Sequence, residues 1–471
     1  MCHVRPPRAI RLARFSSAHG YSTVTFRAKR LIGAAIPGKT GAARPAQEHG
    51  AGRGKPKHMR SDVIVLGAGI VGVATALNLQ QRGRSVVLVD KGDPGRGTSY
   101  GNAGMIQREA VTPYAFPQDF STILSYALNN RRDAHYHLSA LPKLAPALFR
   151  YWRNGRPEAV ARTIAANIPL FEHCLSEHAA LAQAAGVSAA LRKDGWIKVF
   201  RTAAAQDAAL KIFEEARRYG VESISLDKAA LADKEPHLRD GLIGGLHFEA
   251  PYTLANPLAL TLAYEALFEA RGGKFLRGDA RKLNLGSDGR WSVTTASGAV
   301  DAADVVLAMG PWSDEIYRPL GYRMPLFVKR GYHLHFTSQG NAVLNRPVLD
   351  ADGGFMLVPM SQGVRLTTGV EFALRDAPPT PVQMTRCEPW ARTLYPLGEA
   401  REKQPWMGCR PCLPDMLPVI GPAPRHKGLW FAFGHAHHGL TLAGSTGRLI
   451  AEMITGETPY TDPTPYRADR F

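Results

Sequence analysis

A strand–turn–helix–strand segment beginning at residue 63 constrains the fold of this chain more than any other feature. Four apolar β-formers, residues 63–66, lead directly into the turn Gly67-x-Gly69-x-x-Gly72, and an amphipathic stretch follows up to Gln81. A second apolar strand, Val86 to Val89, ends on Asp90. This order of strand, tight turn, helix, strand and acid is the fingerprint of a βαβ unit that binds the ADP part of a dinucleotide.

Each glycine of the turn has its own physical role. Gly67 permits the turn, Gly69 lets a pyrophosphate approach the backbone, and Gly72 lets the helix pack closely on the sheet. The N-terminus of the helix offers N–H groups to the phosphates, and the acid at the end of the second strand accepts hydrogen bonds from the ribose. The further residues predicted to bind this moiety are Ile70, Val71, Asp90 and Lys91.

The first 58 residues differ in charge from the rest of the chain. They contain twelve Arg or Lys residues and one acid, Glu48, and so contribute +11 of the net charge of +18. The segment has no long apolar stretch, which predicts a disordered basic extension over 1–58. It is either an upstream extension before a natural start at Met59 or an organellar transit peptide, because it is acid-poor with several Ser and Thr. Since the excess charge lies in a tail, it does not indicate nucleic-acid binding.

Composition limits the remaining possibilities. A hydrophobic content of 45% is ample for two domains with a core, and no apolar run is long enough for a transmembrane helix. The pair Cys409-x-x-Cys412 lacks the second pair that zinc needs, so no metal is predicted. The few, irregularly spaced cysteines favour a reduced compartment such as the cytoplasm; they are Cys2, Cys174, Cys387, Cys409 and Cys412.

Three further segments have distinct patterns. A Gly-rich loop at 95–104 follows the second strand and can wrap a planar ligand at close backbone distance. Residues 118–190 have helical spacing, whereas 323–375 alternate apolar and polar residues and predict an antiparallel sheet. Their order predicts a mixed α/β protein.

Two more apolar strands end in glycine-containing turns. Residues 304–307 lead to Gly310 and Trp312, and residues 429–433 lead to the turn 434–439, after which a helix is predicted from Thr441 to Thr455. Ligands bind at the carboxyl ends of strands in open α/β sheets. The turn at Gly310 is therefore expected at a ligand-binding edge of the sheet.

These motifs, in this order, are similar to those of the FAD-dependent D-amino-acid dehydrogenase group of the D-amino-acid oxidase/glycine oxidase superfamily. The most specific marker is the block Gly-x-Arg-Pro…Pro-Asp…Pro-x-Ile-Gly at 408–421, because many unrelated flavoproteins share the N-terminal fingerprint. The resemblance covers about residues 59–465.

The resemblance implies an α/β (α+β) fold of two domains, a Rossmann-like FAD domain and an antiparallel-sheet substrate domain. FAD-binding parts are expected at 59–112, 251–313 and 406–471, a helical and substrate-domain segment at 113–250, and the rest of the substrate domain at 314–405. The FAD is expected to be non-covalent, because the cysteine that attaches flavin in some sarcosine-oxidase relatives would fall at Gly408. The further implied FAD contacts are Thr98, Ser99, Asn102, Ala103, Gly104, Met105, Gly310, Trp312, Gly434, Gly439, Leu440 and Thr441.

The resemblance also implies which residues act on the substrate. Arg410 matches the position that holds the substrate carboxylate in glycine-oxidase-like members, and a bidentate Arg–carboxylate pair fixes orientation as well as charge. The alternative is an Arg paired with Asp415. His437 and His438, where relatives carry Arg or Lys, are candidates to stabilise negative charge on reduced flavin, in either the neutral or the protonated form. The alternative is a turn that contributes only backbone N–H groups. Two tyrosines are candidates for the pocket wall or the carboxylate; they are Tyr252 and Tyr332.

The implied reaction is oxidative deamination of a D-amino acid to a 2-oxo acid and ammonia, with hydride transfer from Cα to flavin N5. Three alternatives remain at this point. The substrate is a cyclic or N-alkyl amino acid of the D-hydroxyproline, D-proline or sarcosine type; the protein is a NAD(P)-dependent dehydrogenase; or it is a flavin-binding subunit of a heteromeric complex. The implied partners are the amino acid and a quinone or other electron acceptor. The expected location is cytoplasmic, with peripheral contact to the inner membrane, or organellar if residues 1–58 are a transit peptide.

Overall fold

The strands form two large sheets and one short pair. The computed structural model describes residues 58–471; the predictions for 1–57 lie outside the described residues. The strands are β1 (Met59–Leu66), β2 (Val86–Asp90), β3 (Met105–Ile106), β4 (Ala134–Tyr136), β5 (Trp196–Phe200), β6 (Ile224–Asp227), β7 (Gly244–Phe248), β8 (Tyr252–Thr253), β9 (Lys274–Arg277), β10 (Asn284–Leu285), β11 (Trp291–Thr295), β12 (Gly298–Leu307), β13 (Phe327–Ser338), β14 (Val348–Asp350), β15 (Phe355–Met360), β16 (Gly363–Thr367), β17 (Val370–Phe372), β18 (Leu397–Ala400), β19 (Trp406–Cys412), β20 (Val419–Pro422) and β21 (Leu429–Phe433).

Helices lie between these strands. Those of the described residues are α1 (Ile70–Gln81), α2 (Phe120–Ala127), α3 (Leu141–Arg153), α4 (Pro157–Glu172), α5 (Cys174–Ala184), α6 (Ala203–Ala216), α7 (Lys228–Lys234), α8 (Pro257–Ala270), α9 (Asp314–Tyr317), α10 (Val382–Leu394) and α11 (Ala443–Thr455). In this part of the chain, none is long and apolar enough to cross a membrane.

The smaller sheet is built around the predicted βαβ unit. Its strand order is β10-β11-β12-β1-β2-β9, with β21 beside β12 and β20 beside β21. β1 runs parallel to both β2 and β12, so that Val63 lies between Val86 and Asp304. Helix α1 packs against α8 and α11. Parallel strands that are covered by helices are buried, which explains why these strands are continuous apolar runs.

The glycine turn begins α1 where the sequence predicted. Gly67 has φ +106°, a conformation that favours glycine. A Cβ on Gly72 would lie 1.9 Å from the carbonyl oxygen of Gly67. The close packing expected of Gly72 is therefore present. At the N-terminus of α8, the Asn256 side chain accepts a hydrogen bond from the N–H of Ala259.

The larger sheet has the order β4-β17-β13-β16-β15-β14-β5-β7-β6, and β18 and β19 also pair with β13. It is mainly antiparallel, as 323–375 predicted, with parallel pairs only at β5–β14 and β4–β17 among the described strands. Strand β19 lies within 406–471, a segment expected to bind FAD. The strand pairs with β13 from Phe327–Cys412 to His333–Trp406 and thus belongs to the larger sheet.

Candidate active site

A cavity of about 1040 Å³ lies between the glycine turn after β1, the Gly-rich loop, strands β13 and β19, and the turn at 435–440. Small-molecule sites usually measure about 300–1,000 Å³. The cavity is therefore large enough for an extended cofactor together with a small substrate.

Asp90 and Ser99 shape the glycine turn. The Asp90 carboxylate accepts hydrogen bonds from the N–H of Ala68 at 2.8 Å and of Gly92 at 2.9 Å. The Ser99 hydroxyl accepts one from the N–H of Ile70 at 3.0 Å. Asp90, Ser99 and Ile70, the first residue of α1, all line the cavity. The N-terminal end of α1 and both polar side chains therefore face the space that a phosphate and a ribose would occupy.

Most residues predicted to contact the cofactor line this cavity. They are Gly67, Gly69, Ile70, Val71, Asp90, Lys91, Thr98, Ser99, Asn102, Ala103, Met105, Gly310, Trp312, Gly439 and Leu440. This set combines a glycine cradle, the beginning of a helix and flat apolar walls, which fits a dinucleotide with an aromatic ring system.

Four predicted contacts lie behind the cavity wall instead: Gly72, Gly104, Gly434 and Thr441. A Cβ on Gly104 would lie 2.4 Å from the carbonyl oxygen of Leu254, and one on Gly434 would lie 2.6 Å from Leu413. The Thr441 hydroxyl accepts a hydrogen bond from the N–H of Gln107 at 3.2 Å. None of the four is among the residues that line the cavity.

Arg410 lies in the cavity without a carboxylate partner. Its Nη1 donates to the carbonyl oxygens of Gly369 at 2.8 Å and Arg330 at 3.4 Å. Among residues 58–471, no carboxylate lies within ion-pair distance of it. The alternative partner, Asp415, pairs with Arg470 at 2.7 Å. The Arg410 guanidinium is thus oriented by backbone carbonyls and keeps its charge for a ligand.

Lys329 is a second cation that sequence reasoning missed. It stands opposite Arg410 in the antiparallel pair β13–β19, and its Nζ lies 3.8 Å from the ring centroid of Tyr151. Burial, together with the charge of Arg410, lowers the pKa of Lys329 to about 8. The sequence could have indicated this residue, because Lys329 lies within an apolar strand. A charged side chain at such a position needs a partner.

The two predicted histidines line the cavity and are neutral near pH 7. Burial first, and then the nearby charges of His438 and Arg410, hold the pKa of His437 well below its usual range. Burial lowers the pKa of His438 to about 3. The His437 ring lies 5.1 Å from the ring of Tyr114. Of the two forms considered from sequence, the structure favours the neutral imidazole.

Of the two tyrosines, Tyr332 lines the cavity, where one of its two predicted roles would place it. The Tyr332 hydroxyl donates to Glu371 at 2.8 Å and accepts from Arg330 at 2.8 Å. Its single proton is therefore not available to a substrate carboxylate. Tyr252 does not line the cavity; it lies in the short sheet β3–β8, opposite Ile106.

A cluster on the larger sheet holds the Gly-rich loop, and sequence reasoning missed it. The His333 ring stacks on Trp406 at 4.8 Å, and Trp406 lies so close to Gly101 that a Cβ there would overlap its ring. Arg365 donates to the carbonyl oxygen of Asn102 at 2.7 Å. These contacts hold the loop in place. They could not be read from the sequence, since only the fold brings these strands near the loop.

The cysteine pair belongs to β19. Cys409 and Cys412 are buried free thiols, and burial raises the pKa of Cys409 to about 11. Both side chains are therefore protonated near neutral pH. Gly408 offers no side chain for a covalent bond to a cofactor.

A glycine-turn βαβ unit facing a mostly antiparallel sheet across one large cavity defines a dinucleotide-dependent oxidoreductase. The family model described as FAD dependent oxidoreductase, DAO, matches residues 62–453, and the chain belongs to this family. The predicted fold class and the FAD cofactor are thereby confirmed.

Individual relatives cover nearly the whole described chain. The chain is similar to a D-amino-acid oxidase of Bradyrhizobium diazoefficiens, with 29% identity over 87% of this chain and 98% of the relative. It is 30% identical to a D-amino acid dehydrogenase of Methylobacterium nodulans over 84% and 96% of the two chains. The fold is similar to that of glycine oxidase from Geobacillus kaustophilus, with TM-score 0.66, 22% identity and coverage of 88% and 99%. It is also similar to L-proline dehydrogenase from P. horikoshii, with TM-score 0.66, 18% identity and coverage of 88% and 98%.

Proposed function

We propose that this protein oxidatively deaminates D-amino acids, with Arg410 binding the substrate carboxylate. The observation that carries the proposal is a guanidinium held by backbone carbonyls in the cavity, with no carboxylate of the described chain beside it. The names of the relatives, D-amino-acid oxidase and D-amino acid dehydrogenase, support the same reaction.

The protein residues act by binding and orientation. Arg410 fixes the carboxylate, and the apolar walls exclude water around Cα. Neutral His437 and His438 accept or donate hydrogen bonds without adding a positive charge. The substrate ammonium group releases one proton to solvent on binding. Bound FAD supplies the two-electron acceptor for the Cα hydride. One water then converts the imino acid to the 2-oxo acid and ammonium, so that the substrate loses two electrons and two protons in total.

The alternative substrate is a cyclic or N-alkyl amino acid, whose carboxylate Arg410 would bind in the same way. We propose non-covalent FAD in either case, since Gly408 replaces the cysteine position. We also propose that the smaller sheet carries the FAD-binding parts and the larger sheet the substrate wall.

Anaerobic reduction of the bound flavin tests the proposal. The full chain would be purified, and the FAD absorbance followed after adding D-, L-, cyclic or N-alkyl amino acids one at a time. Bleaching by D-amino acids supports the proposal, and faster bleaching by a cyclic or N-alkyl amine transfers it to the alternative. A flavin that no amine bleaches contradicts both and favours the role of a flavin-binding subunit.

We further propose that the electrons pass to a quinone at an anionic membrane surface. Three residues at four-residue spacing along and just after α2 are exposed: Phe120 by 77%, Leu124 by 52% and Leu128 by 67%. The segment 119–156 contains six basic and two acidic residues. An exposed apolar stripe beside basic residues suits an interface with anionic lipid.

The same helices connect that surface to the cavity. Ile123 and Tyr126 of α2, and Leu148 and Tyr151 of α3, line the cavity. A lipid-soluble acceptor entering from the membrane would therefore meet the cavity wall at α2 and α3. The proposal places the acceptor on this side of the protein.

A further inference from the structure

The pair Lys329 and Arg410 is a concentration of positive charge that the described chain does not neutralise. The two residues occupy directly opposite positions on adjacent antiparallel strands, an arrangement that destabilises a sheet when the charges are alike. Burial lowers the pKa of both groups. Two half-buried cations on the same face of the sheet therefore favour binding of anions from outside the chain.

The acidic residues that line the cavity are all engaged elsewhere. Asp90 holds backbone N–H groups, and the other four each pair with a different arginine. These pairs are Asp93 with Arg277, Asp133 with Arg131, Asp279 with Arg281, and Glu315 with Arg375. Within residues 58–471, none of these five carboxylates balances the charge of Lys329.

A monocarboxylic substrate compensates only one of the two cations. If the α-carboxylate binds Arg410, as the proposed function has it, Lys329 remains uncompensated beside the ring of Tyr151. A second acid group on the substrate would balance the site and bring a charge-assisted hydrogen bond to Lys329.

We propose that Lys329 binds a second carboxylate and makes amino acids with an acidic side chain, of the D-aspartate and D-glutamate type, the preferred substrates. This inference rests on the proposed function, because it takes Arg410 as the α-carboxylate site. Lys329 is then a specificity-determining residue, and it touches the substrate side chain, away from the reacting Cα.

Binding without turnover tests the two-cation site. Glutarate and butyrate, which differ by one carboxylate, would be titrated into the full-length FAD-bound protein while the flavin absorbance is followed. We expect glutarate to bind about 100-fold more tightly than butyrate. Lys329→Met should remove that advantage while changing butyrate affinity less than about 3-fold, and Lys329→Arg should largely retain it.

A matched control is Lys198→Met on β5 of the same sheet. Lys198 is also desolvated, with a lowered pKa, and its Nζ lies 5.9 Å from the Phe200 ring, but it does not line the cavity. This variant should keep the glutarate preference. The proposal is overturned if wild-type protein binds the two acids equally, or if Lys329→Met weakens both to the same extent.

Substrate kinetics separate this proposal from the proposed function. Lys329→Met should lower kcat/KM for D-glutamate about 100-fold and leave that for D-norvaline within about 3-fold. If no amino acid bleaches the flavin but glutarate still binds through Lys329, the reaction assignment fails and the two-cation site stands. If D-norvaline is oxidised as efficiently as D-glutamate, the site assignment fails and the reaction stands.

Discussion

Arg410 and Asp415 lie five residues apart in the sequence, yet their charges serve different partners. Asp415 pairs with Arg470 near the C-terminus at 2.7 Å, whereas Arg410 points into the cavity and donates to the carbonyl oxygen of Gly369 at 2.8 Å. The block 408–421 thus divides into a ligand-facing part and a structural part.

Replacing Arg410 should therefore impair substrate binding with little effect on the fold. We expect Arg410→Met to lower kcat/KM for D-amino acids by about 10²–10⁴-fold, because the substrate carboxylate loses a buried charged partner. Steady-state kinetics together with FAD content would measure this. Arg470→Met, which breaks the Asp415 pair, should lower thermal stability and keep kcat/KM. Wild-type kinetics in Arg410→Met would remove the carboxylate assignment.

The glycine turn separates packing from cofactor binding. Gly72→Ala would place a Cβ 1.9 Å from backbone oxygen, so we expect a loss of about 3 kcal/mol or more in the free energy of unfolding. In Gly69→Ala the nearest atom is the Ser99 hydroxyl at 3.3 Å, so the apoprotein should fold while FAD affinity falls about 10-fold or more. Thermal unfolding of the apoproteins and FAD titration would distinguish the two. Equal stability of both variants would contradict the packing role of Gly72.

Glu109 should make stability depend on pH. Burial raises its pKa from 4.5 to about 7, although Trp196 donates a hydrogen bond to it. Between these values the folded state holds a proton that the unfolded state has lost, so stability falls as pH rises from about 4.5 to 7, by about 3 kcal/mol. Urea unfolding of wild type and Glu109→Gln should show the variant gaining stability relative to wild type over this range and a constant difference above it. A difference that does not change with pH would refute this.

Affinity for a dicarboxylate should fall at alkaline pH. The pKa of Lys329 is about 8, so its charge is present below that pH and is lost above it. Of the groups around it, burial lowers the pKa of Arg410 and His437 and raises the pKa of Cys412 and Tyr151. The Kd of glutarate should rise up to about tenfold per unit above pH 8, whereas Lys329→Met should show no such rise. Titrations at pH 7, 8, 9 and 9.5 would measure it.

The exposed stripe of α2 should bind anionic vesicles. We expect the protein to cosediment with vesicles of phosphatidylglycerol and phosphatidylcholine in equal parts, but not with phosphatidylcholine alone. The triple substitution of Phe120, Leu124 and Leu128 by Ser should reduce the bound fraction about tenfold or more. A matched control replaces Leu210, Ile212 and Ile224, exposed apolar residues outside α2 and α3, by Ser. Equal losses in both triple variants would exclude this stripe as the docking surface.

Local patterns predicted the elements of the FAD-binding unit closely. The bounds of α1 agree with the sequence prediction because the glycine turn defines its N-terminus. Helix α11 begins at Ala443, two residues later than expected, since Leu440 and Leu442 line the cavity in a turn. Such signals depend on neighbouring residues and are readable without the fold.

Position within a motif was less reliable for side chains. Thr441 and Gly104 belong to motifs that surround the cavity but lie behind its wall, and Tyr332 gives its hydroxyl to Glu371, 39 residues away. Where a turn follows a strand, the spacing of residues along a motif does not determine whether a given residue is directed toward the cavity or away from it.

The sequence alone therefore determined the βαβ unit, because glycine placement and apolar periodicity act over a few residues. The family resemblance of its motifs implied the FAD cofactor and the candidate Arg410. Only the tertiary structure placed Lys329 opposite Arg410, Trp406 against Gly101 and Asp415 beside Arg470. Those relationships depend on the register of strands about 80 residues apart and on packing between distant segments, which no local pattern encodes. The charge balance of the cavity arises at that level.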